Sequence, residues 1–269
     1  MTLSPRQIDD LLRRHDLAPS RALGQNFVAD PNTVRRIARL ARVGPGDRVV
    51  EIGPGLGSLT LALAETGAQV LAIERDRHLL PALREVLGDH AVEVVEGDAT
   101  ALDWAGMLGD DRWALVANLP YNVATGLVLD VLAAAPQVER MLVMVQREVA
   151  ERLVADPGSR VYGIPSVKRA YWAEARIVGT VPASVFIPRP RVESALVELA
   201  RRAAPAVDVA PEVLFPLVEL AFNQRRKMLR RALASRLDAV AIEAAGVDPQ
   251  ARAEQLDVAA FGRLAAQLG

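Results

Sequence analysis

From Arg48 to about Gln146, short runs of β-branched and aliphatic residues alternate with stretches of helical period. The extended runs are Arg48–Ile52, Gln69–Ile73, Val92–Glu96, Trp113–Ala117 and Met141–Gln146, and Ser58–Ala64 after the first reads as a helix. This rhythm predicts a parallel sheet flanked by helices, because parallel neighbours need a crossover long enough to hold one. Two later extended runs, near Ala175–Val181 and Glu193–Ala200, are joined by a proline-rich stretch ending Phe186-Ile187-Pro188-Arg189-Pro190. They predict an antiparallel pair at the sheet edge. Around Ala203–Pro211 the chain turns Ala/Pro/Val-rich, and beyond it apolar positions such as Leu214, Leu217, Val218, Ala221 and Phe222 keep helical period. The pattern therefore predicts an α/β domain over residues 1–203 and a small all-helical domain over 204–269.

Composition narrows the chemistry. With 269 residues, 51% of them apolar and 24% charged, the chain can bury a full-sized core and carry a small module. No apolar stretch approaches the ~18 residues of a membrane span, and Asp9 and Asp10 stand where a leader would be basic and then apolar, so the expectation is cytoplasmic with no membrane contact. Cysteine is absent, and His15, His78 and His90 lack metal-ligand spacing, so no metal cofactor is expected. A net charge of -1 means that any nucleic-acid contact must be local. Between Glu219 and Asp238 there is no acid, yet Arg225, Arg226, Lys227, Arg230, Arg231 and Arg236 crowd together. Such a run is either a solvated helix face or a phosphate-binding patch, and the missing counter-charges favour phosphate.

The first extended run ends in Glu51-Ile52-Gly53-Pro54-Gly55-Leu56-Gly57. Glycines there allow a ligand close to the backbone, although a plain strand-to-helix turn would also use them. Ser58 stands where the dinucleotide fingerprint wants its third glycine, which disfavours a nicotinamide cofactor. Glu74 closes the second run about 20 residues on, where an acid can accept both ribose hydroxyls. Asp98, in Gly97-Asp98-Ala99, offers an acceptor for an adenine amino group, or else caps a helix. Three strand ends in agreement describe an adenosine pocket at the carboxyl edge of a doubly wound sheet.

Asn118-Leu119-Pro120-Tyr121-Asn122 follows the fourth run. The N6 lone pair of adenine is delocalised into the ring, so this amine attacks poorly until acceptors hold its hydrogens and favour a more tetrahedral nitrogen. The Asn118 side-chain oxygen and the Leu119 carbonyl can be those acceptors, with Pro120 fixing the turn and adding no N–H. Tyr121 would stack on an unpaired or flipped-out base, and Phe186 is the candidate for its opposite face.

These residues come with others: Leu23-Gly24-Gln25-Asn26-Phe27, Gln146-Arg147-Glu148-Val149, Tyr162-Gly163 followed by Ser166-Val167, the Phe186–Ala195 segment, and Ala221–Lys227. Over nearly its whole length the chain resembles the KsgA-type small-subunit ribosomal RNA adenine N6,N6-dimethyltransferases. The resemblance implies a class I, Rossmann-like methyltransferase sheet with an antiparallel edge, a lid segment over 1–45, and a helical C-terminal domain that contributes to rRNA binding. It implies S-adenosylmethionine as cofactor, S-adenosylhomocysteine as product, and two adjacent adenines near the 3′ end of 16S rRNA as targets. A role in late small-subunit biogenesis comes with it. Implied cofactor contacts are Asn26, Val28, Gly53, Glu74, Asp98 and Asn118, with Gln25, Gly55, Arg75 and Ala99 beside them. Arg147 joins Arg225, Arg226, Lys227, Arg230 and Arg231 on the RNA side. Departures are small: Val28 for the family's leucine, Ala117 for a frequent glycine, Arg191 and Glu193 for lysine and aspartate.

Two other functions compete. One is the resistance-type methyltransferase of a 23S rRNA adenine; the other is a ribosome-assembly factor acting mainly by binding. The helix expected over Phe222–Lys227 and the complete Phe186–Ala195 segment favour the small-subunit reading, and an intact reacting turn disfavours a purely structural role. The chain is expected to be a monomer without an obligate protein partner.

Overall fold

The computed structural model describes residues 2–20 and 22–268. The chain divides into two compact units, residues 1–150 with 176–200, and residues 151–175 with 201–269.

The first unit opens with helix α1 (Pro5–Arg14), strand β1 (Phe27–Val28) and helix α2 (Pro31–Ala41). Ser4 starts α1 with a reciprocal capping box to Gln7, and Asp30 caps α2 through the Thr33 amide. Then come β2 (Arg48–Ile52), α3 (Ser58–Ala64), β3 (Gln69–Glu74), α4 (Leu80–Leu87), β4 (Val92–Glu96), α5 (Trp104–Leu108), β5 (Trp113–Asn118), α6 (Ala124–Ala134) and β6 (Val138–Gln146). After α7 (Arg147–Val154) and α8 (Ile164–Trp172), strands β7 (Ala173–Val181), β8 (Phe186–Ile187) and β9 (Ser194–Arg201) return the chain to the sheet. The sheet has seven strands in the order β4-β3-β2-β5-β6-β9-β7. Strands β2 to β6 pair in parallel and β9 runs antiparallel to β6, as the alternating pattern predicts. Strand order reverses between β2 and β5, and that switch opens a crevice at their carboxyl ends. A second sheet has two strands: β1 pairs antiparallel with β8, Phe27 opposite Ile187 and Val28 opposite Phe186.

Burial explains why the strands read as continuous apolar runs. Val49, Val50, Ile52, Leu71, Ala72 and Ile73 are all buried, covered by helices on both faces of the sheet. Leu59 and Leu63 of α3 share one core cluster with Val34 and Ile37 of α2.

The second unit holds α8, α9 (Pro211–Asn223), α10 (Leu229–Ala232), α11 (Ala239–Ala244) and α12 (Val258–Ala265). Its composition corrects the linear cut at 203/204. Tyr162, Val167 and Tyr171 bury their side chains in one cluster with Leu214, Val218, Leu233 and Phe261, so residues 151–175 belong with the C-terminal helices. A second correction concerns the basic run: α9 stops at Asn223, and Arg225–Lys227 form a turn before α10 rather than a helix. Among the described residues no helix is long and apolar enough to cross a membrane, and no His/Cys/Asp/Glu group could hold a metal.

Candidate active site

Residues from β2, β3, β5 and the segment before α2 line one cavity at the strand reversal. Gly53, Gly55 and Gly57 all take positive φ, which turns the chain sharply from β2 into α3. At Gly55 the requirement is also spatial, since a Cβ would stand 2.9 Å from Cε1 of Phe27.

Glu74 ends β3, buried, with each carboxylate oxygen anchored: the Gly55 amide donates to Oε2 at 3.0 Å and the Asp76 amide to Oε1 at 2.8 Å. Burial pushes its pKa up, against the pull of those amides. Asp98 behaves oppositely. Its Oδ1 accepts from the Thr100 amide and hydroxyl, Arg75 lies 3.2 Å from Oδ2, and the Thr100 bonds hold the carboxyl below its usual range. Arg75 and Ala99 complete this wall of the cavity.

The segment before α2 covers the glycine loop and is tied down by side chains. Gln25 donates to Asp76 at 2.8 Å and accepts from the Ser20 amide at 2.7 Å. Asn26 contributes its main chain: the Asn118 Nδ2 donates to the Asn26 carbonyl at 2.9 Å. Asn122 makes a second such tie to the Ala22 carbonyl at 3.1 Å. Gly24, at φ +66°, sits so close that a Cβ would meet Asn122 Oδ1 at 2.9 Å. Val28 is buried beside them in β1.

The Asn118 bond decides which way its amide faces. A carbonyl only accepts, so the atom against Asn26 must be nitrogen, and Oδ1 is left as an uncommitted acceptor. The Leu119 amide donates to the Met144 carbonyl at 3.0 Å, which orients the peptide ahead of Pro120. Tyr121 is half-buried in the cavity wall, and its hydroxyl lies 2.7 Å from Ser194 Oγ.

The cavity brings together Gln25, Asn26, Val28, Gly53, Gly55, Glu74, Arg75, Asp98, Ala99, Asn118, Leu119, Pro120 and Tyr121. Phe186 is the exception. It is 3% exposed, packed with Val28, Val34, Leu142 and Met144, and it does not line the cavity, so the expected second stacking face is a core residue here. The β1–β8 pairing draws it inward, because Phe186 lies opposite Val28.

Two cavity residues escaped the sequence reading. Glu51 is 1% exposed, with Oε2 unpartnered, and the hydroxyl of Ser58 is likewise buried and unpartnered. Burial pushes the Glu51 pKa up to about 8, reinforced by the nearby Glu74. The signal was present: a carboxyl inside Val49-Val50-Glu51-Ile52 is out of place in a strand buried on both faces.

On the basic side, Arg225 is committed to structure, its Nε 2.5 Å from Glu254 and its Nη2 2.8 Å from the Arg160 carbonyl. Arg226, Lys227, Arg230 and Arg231 are exposed and make no ion pair among the described residues. Arg147 is exposed as well, its guanidinium 3.2 Å from Glu193.

Residues 19–268 match the family described as ribosomal RNA adenine dimethylase. The chain is 53% identical to the ribosomal RNA small subunit methyltransferase A of Kineococcus radiotolerans, over 98% of this chain and 91% of that protein. It is 49% identical to the protein of the same name from Cutibacterium acnes, over 97% and 93%. The solved structure of the 23S rRNA methyltransferase ErmE superposes with a TM-score of 0.71 at 31% identity, covering 90% of this chain and 99% of that one. A dimethyladenosine transferase from Plasmodium falciparum shares the fold, with a TM-score of 0.74 at 22% identity over 87% and 94%. With the match spanning both units and every turn of the cavity, the chain belongs to the ribosomal RNA adenine dimethylase family.

Proposed function

We propose that this protein dimethylates the N6 amines of two adjacent adenines near the 3′ end of small-subunit (16S) rRNA, with S-adenosylmethionine as donor. The observation that carries the reading is the Asn118–Asn26 bond, which leaves Oδ1 of Asn118 free to accept from an exocyclic amine beside the cavity. Relatives at 53% and 49% identity bear the small-subunit name, whereas the 23S enzyme stands at 31%. That difference favours the small-subunit target over the large-subunit one.

The cavity's own chemistry fits the donor. Glu74 keeps lone pairs for ribose hydroxyls beyond the two amides it accepts, and Asp98 can take an adenine amino hydrogen. Unpartnered Glu51 Oε2 and Ser58 Oγ suit the ammonium end of an amino acid, since buried polar atoms left unpaired are costly. When bound, the donor supplies an electrophilic sulfonium methyl.

Asn118 Oδ1 and the Leu119 carbonyl hold the two N6 hydrogens and free the nitrogen lone pair from the ring. Pro120 offers no competing N–H, and Tyr121 supports the base by stacking. A nitrogen made cationic loses its proton readily to water, so no tuned general base is needed and the protein's contribution is alignment. Arg226, Lys227, Arg230 and Arg231 supply exposed charge for RNA phosphates, and a role in small-subunit biogenesis follows from the proposed substrate.

The test is to incubate the protein with labelled S-adenosylmethionine and under-methylated small or large subunits, digest the RNA and locate modified nucleosides by mass spectrometry. Two adjacent N6,N6-dimethyladenosines in the small subunit are expected; label confined to the large subunit overturns the reading.

A further inference from the structure

Ser194 opens β9, in the Phe186–Ala195 segment, and no step of the methyl transfer uses it. It is fully buried, and its hydroxyl lies 2.7 Å from that of Tyr121. Its backbone is fixed against the end of β6. Ser194 pairs with Gln146 of β6, and the preceding Glu193 accepts the Arg147 amide at 3.0 Å while its carboxylate pairs with the Arg147 guanidinium at 3.2 Å. The serine is therefore a rigid post that meets the far end of a cavity-lining ring.

A tyrosine held only at its Cα can swing about two side-chain torsions. Fastened also at its hydroxyl, it has one ring plane. Burial raises the Tyr121 pKa, so the hydroxyl stays protonated and the contact is one neutral hydrogen bond. The bond also satisfies a hydroxyl that would otherwise sit half-buried without a partner.

We propose that Ser194 is a positioning residue for the target adenine: it locks the Tyr121 ring in the plane on which the base stacks, acting from β9 through one hydroxyl contact. The inference rests on Tyr121 being the stacking platform. Its consequence is that the Tyr121 hydroxyl and the Ser194 hydroxyl form one functional unit, and removing either undoes the same alignment.

The experiment compares Tyr121→Phe, Ser194→Ala, the double variant and Tyr121→Ala in single-turnover methylation of under-methylated small subunits, with cofactor Kd by calorimetry and thermal midpoint for each. Either single hydroxyl loss should lower the methyl-transfer rate about tenfold, in line with the cost of misaligned reactants. Cofactor Kd and subunit affinity should stay within about twofold of the parent, and the double variant should lose no more than either single, as expected for a coupled pair. Multiplying losses in the double variant, or a Ser194→Ala protein whose rate falls only alongside its thermal midpoint and cofactor affinity, would overturn the assignment. The two readings separate on Tyr121→Ala. If it abolishes transfer while both hydroxyl deletions are silent, only the role of Ser194 falls; if it too is silent, the stacking platform itself is wrong.

Discussion

The side-chain amide of Asn118 donates to the main-chain carbonyl of Asn26 at 2.9 Å, across 92 residues of sequence. One bond thereby joins the segment over the glycine loop to the Asn118–Asn122 turn, and it leaves Oδ1 of Asn118 as the end available to the proposed target amine. A companion bond from Asn122 to the Ala22 carbonyl repeats the arrangement.

Asn118→Ala removes both the tie and the acceptor. Methyl transfer should fall by about two to three orders of magnitude, the range for losing one preorganised polar contact at a reacting centre. Association with immature small subunits should persist, because the exposed cations lie elsewhere in sequence. Sedimentation with labelled particles checks this, and equal loss of binding and transfer would refute the separation.

Gly24→Ala should loosen the covering segment. Gly24 is at φ +66°, and the new Cβ would press on Asn122 Oδ1 at 2.9 Å and on Pro120 at 3.3 Å. A strained left-handed alanine costs roughly 1–2 kcal/mol, and relief requires moving the segment away from the 118–122 turn. Calorimetry should show weaker cofactor binding, by about tenfold if that full strain is released on opening.

Glu51 makes stability depend on pH. Its pKa rises from the ordinary 4.5 to about 8 on folding, so between those values the native state holds a proton that the unfolded chain has released. Below pH 4.5 ionisation of this carboxyl adds no cost, and stability is lost as pH climbs through that window toward about 8, with a slope of at most ~1.4 kcal/mol per pH unit. Glu51→Gln should flatten this part of the profile. Urea midpoints measured from pH 5 to pH 8.5 decide the matter; parallel profiles for the two proteins would rule Glu51 out.

The basic residues should divide into two kinds. Arg225→Ala breaks the bonds to Glu254 and to the Arg160 carbonyl, and should lower stability by about 1 kcal/mol, given that the pair is partly solvent-exposed. Arg226→Ala with Lys227→Ala should leave stability unchanged. That variant should instead weaken subunit binding and reduce its salt dependence by about one unit of slope for each phosphate it no longer neutralises. Affinity measured over a salt series distinguishes them.

Much of the architecture was legible in the chain because the signals are local. Arg48–Ile52 and Ser58–Ala64 lie where their periodicity puts them, and the Gly53–Gly57 turn between them follows from glycine's tolerance of positive φ. Glu74, Asp98 and Asn118 each end or follow a strand, so a doubly wound order brings them to one crevice without further information. The antiparallel edge followed equally from two extended runs separated by prolines.

Other features depend on partners distant in sequence. Nothing near Tyr162, Val167 or Tyr171 says that their apolar faces are completed by Leu214 and Phe261, so the boundary at 203/204 missed residues 151–175. Phe186 was expected in the cavity and is instead packed in the core, because its strand pairs with β1.

The sequence alone determined the order of elements, the crevice at the strand reversal and the Asn118–Asn122 turn beside it, since spacing and residue type set backbone geometry over a few positions. Only the tertiary structure decided which Asn118 atom stays available, that Ser194 grips Tyr121, that Glu51 favours its protonated form and that Arg225 is spent on Glu254. A side chain's type defines the bonds and charges it is capable of; which of them it uses depends on the neighbours and the water that folding leaves around it.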